Sequence, residues 1–298
     1  MNTAGQCQPQ AGRQNLGDAE LAYLRYAGEG PPLLLLHATG FQPWLWHPLA
    51  REWAHSYHIL APSICNHRPA DPHDGGLSWV TLAKDIVRFC HALGIERPFL
   101  AGHSMGATVL MLSHALCGLP AAGLVLIEPI LLTEEFYQRQ LTPEQHPFAA
   151  KALKRTNFWP NRDEARSYLN GRSLFQGWDE EMVELYLEHG MSEAQNGGLQ
   201  LACSPRSEAA LFMGGARFDP WPWLPKVSCP VLLLEGEKSE MQELIDFNRI
   251  RSLLPVCDHR VIEQAGHMIP MERPGEVTRL IGDFFGPLRE ARTKSAVG

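Results

Sequence analysis

The sequence predicts an α/β fold in which a mostly parallel sheet is covered by helices on both faces. Short apolar runs bounded by Pro or Gly alternate with helical stretches over about residues 20–130, and again over 225–286. Continuous runs of this kind are typical of strands buried on both faces, as in parallel sheets. The stretches between them have apolar residues at every third or fourth position, which indicates amphipathic helices. This alternation predicts a doubly wound fold.

Each element follows from its own pattern. The predicted strands are 20–26, 33–36, 58–64, 98–102, 123–128, 231–235 and one near 260–263. The predicted core helices are 44–53, 78–93, 105–117, 240–253 and 274–285. Pro274 supports the start of the last helix, because proline is favoured in a first turn.

The alternation stops between residues 131 and 225, where no strand-like run occurs. Helical pieces are predicted there at 134–140, 162–169, 179–188 and 207–213. We therefore predict a disordered tail at 1–14, a core at 15–130 and 226–290, and a helical cap at 131–225. The cap holds four of the eight tryptophans, Trp159, Trp178, Trp221 and Trp223. These rings either cover an apolar pocket or dock the cap onto the sheet.

Composition excludes several classes of protein. The 298 residues include 26 Lys and Arg against 33 Asp and Glu, a formal charge of −7, and no concentrated basic face suited to a nucleic acid. No apolar run is long enough to span a membrane. Seven scattered cysteines without CxxC spacing favour reduced thiols and a cytoplasmic location. We expect a small-molecule substrate as the partner and leave a homodimer open.

No metal or organic cofactor is expected. His67, His73 and Asp74 share a loop rich in Pro and Gly, but no further ligand follows at a recognisable spacing. Neither a GxGxxG motif nor a phosphate-binding P-loop is present.

The strongest chemical signal is the sequence Gly-His-Ser-Met-Gly at 102–106, between an apolar strand and a helix. The glycines permit a sharp turn that lifts the Ser104 hydroxyl above the sheet edge and brings the Met105 amide to the helix N-terminus. Ser104 is therefore a candidate nucleophile, and the alternative is a serine that only caps the helix. A serine needs a base, and His267 follows the last strand in the required chain order.

These segments resemble the α/β-hydrolase fold superfamily over about residues 20–288. The matching segments are LLLLHATGF (33–41), Trp46, GHSMG (102–106), GLVLIEP (123–129), CPVLLLEGE (229–237) and AGHMIPMERP (265–274). The resemblance implies a serine hydrolase with a helical cap inserted after strand 6. It also implies that the Thr39 amide, or its neighbour Ala38, joins Met105 in an oxyanion hole, and that His37 supports this loop.

The acid of the triad is less clear, because Ser239 stands where the superfamily usually has Asp. Glu240 resembles a Ser-Asp variant of this turn, whereas Glu237 is expected to be solvated. Glu128 matches relatives that carry the acid after the sixth strand, including lactone hydrolases of the zearalenone-degrading type. A carboxylate at a buried strand end needs a partner. We therefore favour Glu128 with His267, with Glu240 as the alternative and a purely structural Glu128 as the third option.

The expected activity is hydrolysis of a carboxylic ester or lactone with an apolar or aromatic group, through an acyl-enzyme on Ser104. The same fold also hosts cofactor-free haloperoxidases, dioxygenases and carbon–carbon bond hydrolases. A non-catalytic small-molecule-binding protein is a further alternative, and the unusual Ser239 is its best support.

Overall fold

The computed structural model describes residues 7–297 and contains a central eight-stranded sheet in the order β1-β2-β4-β3-β5-β6-β9-β10. The strands are β1 Gln10–Asn15, β2 Glu20–Tyr26, β3 Pro32–Leu36, β4 His58–Pro62, β5 Phe99–His103, β6 Gly123–Ile127, β9 Val231–Gly236 and β10 Cys257–Ile262. The pairs from β4 to β10 are parallel, and β1 and β2 are antiparallel additions at one edge. The predicted mostly parallel sheet is confirmed.

Helices cover both faces of the sheet. They are α1 His47–Trp53, α2 Trp79–Ala92, α3 Met105–Ala115, α9 Phe247–Leu253, α10 Ile269–Glu272 and α11 Pro274–Val297. Leu34 and Leu36 of β3 pack in the same apolar cluster as α2 and α3, whereas Leu33 and Leu35 join the cluster of α1 and α11. Because successive strand residues point to opposite faces, a continuous leucine run can fill both cores. Among residues 7–297, each helix is either too short or too polar to serve as a membrane span.

The first strand corrects the predicted disordered tail. Residues 10–15 pair along their whole length with β2, although their side chains are mostly exposed. The backbone hydrogen bonds of an edge strand need no apolar side chains, so the hydrophobic pattern did not reveal it. Residues 1–6 of that tail lie outside the described residues. The predicted helix 240–253 is also divided, because Asp246 caps a new helix, α9, by accepting from the Arg249 amide.

The segment 131–225, called the insertion below, connects β6 to β9. It contains α4 Glu134–Tyr137, α5 Pro147–Leu153, α6 Arg162–Asn170, α7 Glu180–His189, α8 Pro205–Gly215 and a small hairpin of β7 Met191–Glu193 and β8 Leu199–Leu201. The hairpin was not predicted, because its three-residue strands are too short to show a pattern.

Helix α8 holds the insertion against the core. The Trp79 indole donates to the Leu211 carbonyl at 2.8 Å, and the Leu77 amide donates to the Ala210 carbonyl at 2.9 Å. A Cβ on Gly214 would lie 1.7 Å from the Leu77 carbonyl oxygen, so this backbone contact requires glycine. Trp221 of the insertion contacts the core as well: its ring is buried, and the Arg249 guanidinium of α9 lies 4.3 Å from the ring centroid.

The prediction that all cysteines are free is wrong for one pair. Cys65, in the loop after β4, forms a disulfide with Cys203, which precedes α8 and lies 138 residues away. The fold brings the two Cα atoms to 6.0 Å, a proximity that no spacing in the sequence could indicate. The free cysteines among the described residues are Cys7, Cys90, Cys117, Cys229 and Cys257.

Candidate active site

Ser104 occupies a strained turn between β5 and α3. Its backbone has φ +56° and ψ −121°, a region that non-glycine residues rarely adopt. A Cβ on Gly102 would lie 2.6 Å from the Gly106 backbone, and one on Gly106 would lie 2.2 Å from the Leu36 carbonyl oxygen. Both glycines are therefore required by close backbone packing. The turn presents the Ser104 hydroxyl at the carboxyl edge of the sheet, as the sequence predicted.

His267 approaches Ser104 from the loop between β10 and α10. Its Nε2 lies 3.1 Å from the Ser104 Oγ, and the side chain is buried. His103 donates from Nε2 to the His267 carbonyl at 2.9 Å. Glu272 accepts from the amides of Gly266 at 2.7 Å and Met268 at 3.2 Å. These bonds hold the backbone on either side of His267, and sequence reasoning did not find the role of Glu272.

Glu128 completes the arrangement from the end of β6. Its Oε2 lies 2.9 Å from the His267 Nδ1, and the residue is fully buried. The Gly236 amide donates to Oε1 at 2.7 Å, and the Ser239 hydroxyl donates to Oε2 at 2.6 Å. Three donors compensate for the loss of solvation of the buried carboxylate.

Ser239 therefore has a defined task at the position where an acid was expected. Its Oγ accepts from the Met241 amide at 3.2 Å, which leaves its proton for Glu128. Glu240 lines the same cavity but is exposed, and within the described residues it makes no hydrogen bond to His267. Glu237 accepts from Gln264 at the surface. The structure brings Glu128, and not Glu240, to the histidine.

The loop after β3 places Ala38 and Thr39 beside Ser104 in one cavity. His37 donates from Nδ1 to the Ala38 carbonyl at 2.8 Å and accepts at Nε2 from the Ile64 amide at 3.0 Å. Burial lowers the pKa of His37 to about 4, so the imidazole is neutral and braces the loop. At the start of α3 the Met105 amide precedes the first intrahelical bonds. Thr39 thus lines the same cavity as Ser104, and Met105 follows Ser104 directly as the first residue of α3.

The cavity has a volume of about 650 Å³ and is mainly apolar. Its apolar walls include Trp79, Ile130, Leu132, Tyr137, Phe148, Leu174, Phe212 and Met241. Of the charged residues at its walls, Arg155 pairs with Glu208 at 2.5 Å and donates to the Tyr186 hydroxyl at 3.0 Å. Each of the two interpretations of the aromatic insertion applies to different rings: Phe148 and Phe212 line the cavity, whereas Trp221 packs in the core cluster and against Arg249 of α9.

The buried histidines make stability depend on pH. Burial lowers the pKa of His37 and His146 to about 4, and burial together with His267 lowers that of His103 to about 3. The unfolded chain takes up these protons near pH 6.5, so unfolding is favoured as the pH falls from about 6.5 towards 4. In that window each histidine lowers the free energy of unfolding by about 1.4 kcal/mol for each pH unit of acidification.

Urea denaturation between pH 7.5 and 5 checks this expectation. The window keeps most carboxylates ionised, so histidines dominate the change. Below pH 6, the free energy of unfolding of a His37→Asn variant is expected to fall less steeply than that of the wild-type protein, by about 1.4 kcal/mol per pH unit. An unchanged slope in that variant would contradict the assignment.

The comparisons with known proteins agree with this geometry. The chain matches the model of the family described as "Alpha/beta hydrolase family" over residues 33–280. The chain belongs to this family. The resemblance stated from the sequence is thereby confirmed, as is the predicted fold class.

Relatives within the family have several activities. The chain is 25% identical over 265 residues to N-formylmaleamate deformylase of Pseudomonas putida, covering 88% of this chain and 91% of that protein. It is 24% identical to an uncharacterised carboxylesterase of Bacillus subtilis, and the match covers 86% of this chain and 80% of that protein. The crystal structure of E-2-(acetamidomethylene)succinate hydrolase matches with a TM-score of 0.78 at 21% identity. The match covers 93% of this chain and 99% of that one. The matches therefore support a hydrolase, whereas the class of substrate differs among relatives.

Proposed function

We propose that this protein is a serine hydrolase that cleaves a small carboxylic ester or lactone through an acyl-enzyme. The proposal rests on one observation, the continuous chain of hydrogen-bond contacts from Ser104 through His267 to Glu128. Nucleophile, base and acid are each within hydrogen-bond distance of the next, and the nucleophile faces a cavity. This order of contacts is the one that activates a serine hydroxyl.

In the first half-reaction His267 Nε2 accepts the Ser104 proton while Oγ attacks the carbonyl carbon. The resulting oxyanion accepts hydrogen bonds from the amides of Met105 and Thr39, each worth about 3 kcal/mol in such sites. The tetrahedral intermediate then expels the alcohol oxygen, which takes the proton from His267. Glu128 keeps the proton on Nδ1 and stabilises the imidazolium, without taking the proton itself.

In the second half-reaction water attacks the acyl carbon. His267 removes a proton from that water, the carboxylic acid leaves, and Ser104 regains its proton. For a lactone the alcohol and the acid are parts of one product. The apolar walls of the cavity favour an apolar or aromatic substituent on either side of the scissile bond.

A second candidate is hydrolysis of a small N-acyl compound. Among the relatives are N-formylmaleamate deformylase and, at 22% identity, (E)-2-((N-methylformamido)methylene)succinate hydrolase of Acinetobacter baylyi. The same acyl transfer would apply, with His267 protonating a leaving nitrogen instead of an oxygen.

The test combines turnover with active-site labelling. The protein is incubated with p-nitrophenyl acetate and butyrate, with p-nitroformanilide, and with a fluorophosphonate probe. We expect ester turnover and labelling, and Ser104→Ala should abolish labelling and lower kcat by at least about 10³-fold. Ser192→Ala, an exposed serine of the hairpin, is the matched control and should change neither.

Two outcomes would contradict the proposal. Folded protein that neither turns over these substrates nor accepts the probe would indicate a non-catalytic binding protein. Labelling that persists in Ser104→Ala would place the nucleophile elsewhere. Preferred turnover of the formanilide over both esters would favour the second candidate.

A further inference from the structure

His146 is a buried histidine that the proposed mechanism does not use. It immediately precedes α5 in the insertion, its side chain is only 2% exposed, and it borders the cavity that contains Ser104. It follows Glu128 by 18 residues in the chain, and nothing in its sequence pattern indicates a role. Its hydrogen bonds, however, define the protonation of the ring.

The backbone of α5 determines which nitrogen carries the proton. The amides of Phe148 and Ala149 both donate to His146 Nδ1, at 3.2 and 3.3 Å. A nitrogen that accepts these bonds has a free lone pair and no proton. Burial lowers the pKa of His146 to about 4, so the ring is neutral at pH 7. The single ring proton is therefore on Nε2, on the side of the ring away from the helix.

The imidazole ring of His146 has aromatic surroundings. The ring centroids of Phe136, Phe148 and Phe212 lie 5.3, 6.0 and 6.3 Å from that of His146. Within residues 7–297 no hydrogen bond uses the His146 Nε2. The ring borders the cavity and its Nε2 has no protein acceptor among the described residues, so a group that enters the cavity can accept from it. Because phenyl rings solvate charge poorly, they favour a neutral acceptor over an anion.

We propose that His146 is a specificity-determining residue that donates from Nε2 to a neutral oxygen of the substrate other than the scissile carbonyl. The preferred substrates are then esters or lactones whose apolar part carries a second carbonyl or an ether oxygen. The inference rests on the proposed function only in taking this cavity as the substrate site. Its test therefore measures binding and not turnover.

The test uses two ligands of nearly the same shape, acetophenone and α-methylstyrene, which differ in having C=O or C=CH₂. Their dissociation constants are measured by calorimetry for the wild-type protein and two variants. His146→Asn keeps a side-chain acceptor for the α5 amides and a donor for the cavity. His146→Ser keeps the helix cap but is too short to reach the cavity. Unfolding midpoints confirm that both variants fold.

The preference is the ratio of the dissociation constant of α-methylstyrene to that of acetophenone. We expect this ratio to fall about fivefold to tenfold in His146→Ser and to stay within about threefold of wild type in His146→Asn. In ¹⁵N-labelled wild-type protein only the ketone should shift the His146 Nε2 resonance. Because this resonance is read without a variant, the test does not depend on the variants folding.

The inference is overturned if His146→Ser keeps the wild-type preference, because water or the backbone amides near Ser104 would then hold the ketone. It is also overturned if both variants lose the preference equally, or if the Nε2 resonance responds alike to both ligands. Absence of hydrolase activity would leave this binding result interpretable. Conversely, an active esterase without the preference would refute only the role of His146.

Discussion

Replacing His267 by Ala is expected to lower kcat for p-nitrophenyl butyrate by about 10⁴-fold to 10⁶-fold. The Ser104 Oγ has its proton acceptor 3.1 Å away in the His267 Nε2. Without this base the hydroxyl is a weak nucleophile, and the leaving alkoxide loses its acid. The residual rate would come from the backbone donors and the binding of the ester. Steady-state kinetics measure the change.

Two controls separate loss of the base from loss of structure. His91→Ala removes an exposed imidazole from α2 and should leave kcat unchanged. Added imidazole should restore part of the activity of His267→Ala, but none of that of Ser104→Ala, because a free imidazole can occupy the space of the missing ring. A folded His267→Ala protein that keeps more than a tenth of the wild-type kcat would contradict the role of His267 as base.

Replacing Glu128 by Gln is expected to lower kcat by about 10³-fold to 10⁴-fold. The carboxylate accepts from Gly236, Ser239 and His267 at the same time, and an amide cannot accept all three bonds with its NH₂ group. The histidine would lose both its preferred tautomer and the charge that stabilises its protonated form. Glu240→Gln, in the same cavity, is the matched control and should stay within about threefold of wild type. The opposite pattern would assign the acid to Glu240.

The contact between Glu128 and Ser239 extends this prediction. The Ser239 Oγ lies 2.6 Å from the Glu128 Oε2, which in turn lies 2.9 Å from the His267 Nδ1. A Ser239→Asp change combined with Glu128→Ala should therefore raise kcat about tenfold to 100-fold above Glu128→Ala alone, by returning a carboxylate to the imidazole. Ser239→Asp by itself should lower kcat, because two buried carboxylates would repel each other. A double variant no more active than Glu128→Ala would show that position 239 cannot orient the histidine.

The acid illustrates where sequence reasoning reaches its limit. Glu128 follows β6, and Glu240 follows β9, which is hydrogen-bonded to β6 in the sheet. Both carboxylates therefore come to the same edge, and spacing along the chain cannot distinguish them. The two carboxylates differ in their contacts: Glu128 reaches the buried His267, whereas Glu240 begins an exposed turn. Only the contacts between neighbouring strands reveal that Ser239 donates a hydrogen bond to the Glu128 carboxylate.

Other features were missed in the sequence for similar reasons. The edge strand β1 and the β7–β8 hairpin depend on backbone pairing, which leaves little hydrophobic pattern. The Cys65–Cys203 bond joins residues 138 positions apart, and the role of His146 depends on two amides of a helix that the pattern did not predict.

The sequence by itself determined the parallel sheet, the sharp turn at Ser104 and the position of His267 after the last strand. These features depend on local information, namely apolar runs, paired glycines and the order of elements along the chain. Tertiary structure alone decided that Glu128 meets His267, that Ser239 and Glu272 form their supporting hydrogen bonds, and that His146 borders the cavity. Those depend on distances between residues far apart in the chain, and folding sets such distances through packing that no single segment encodes.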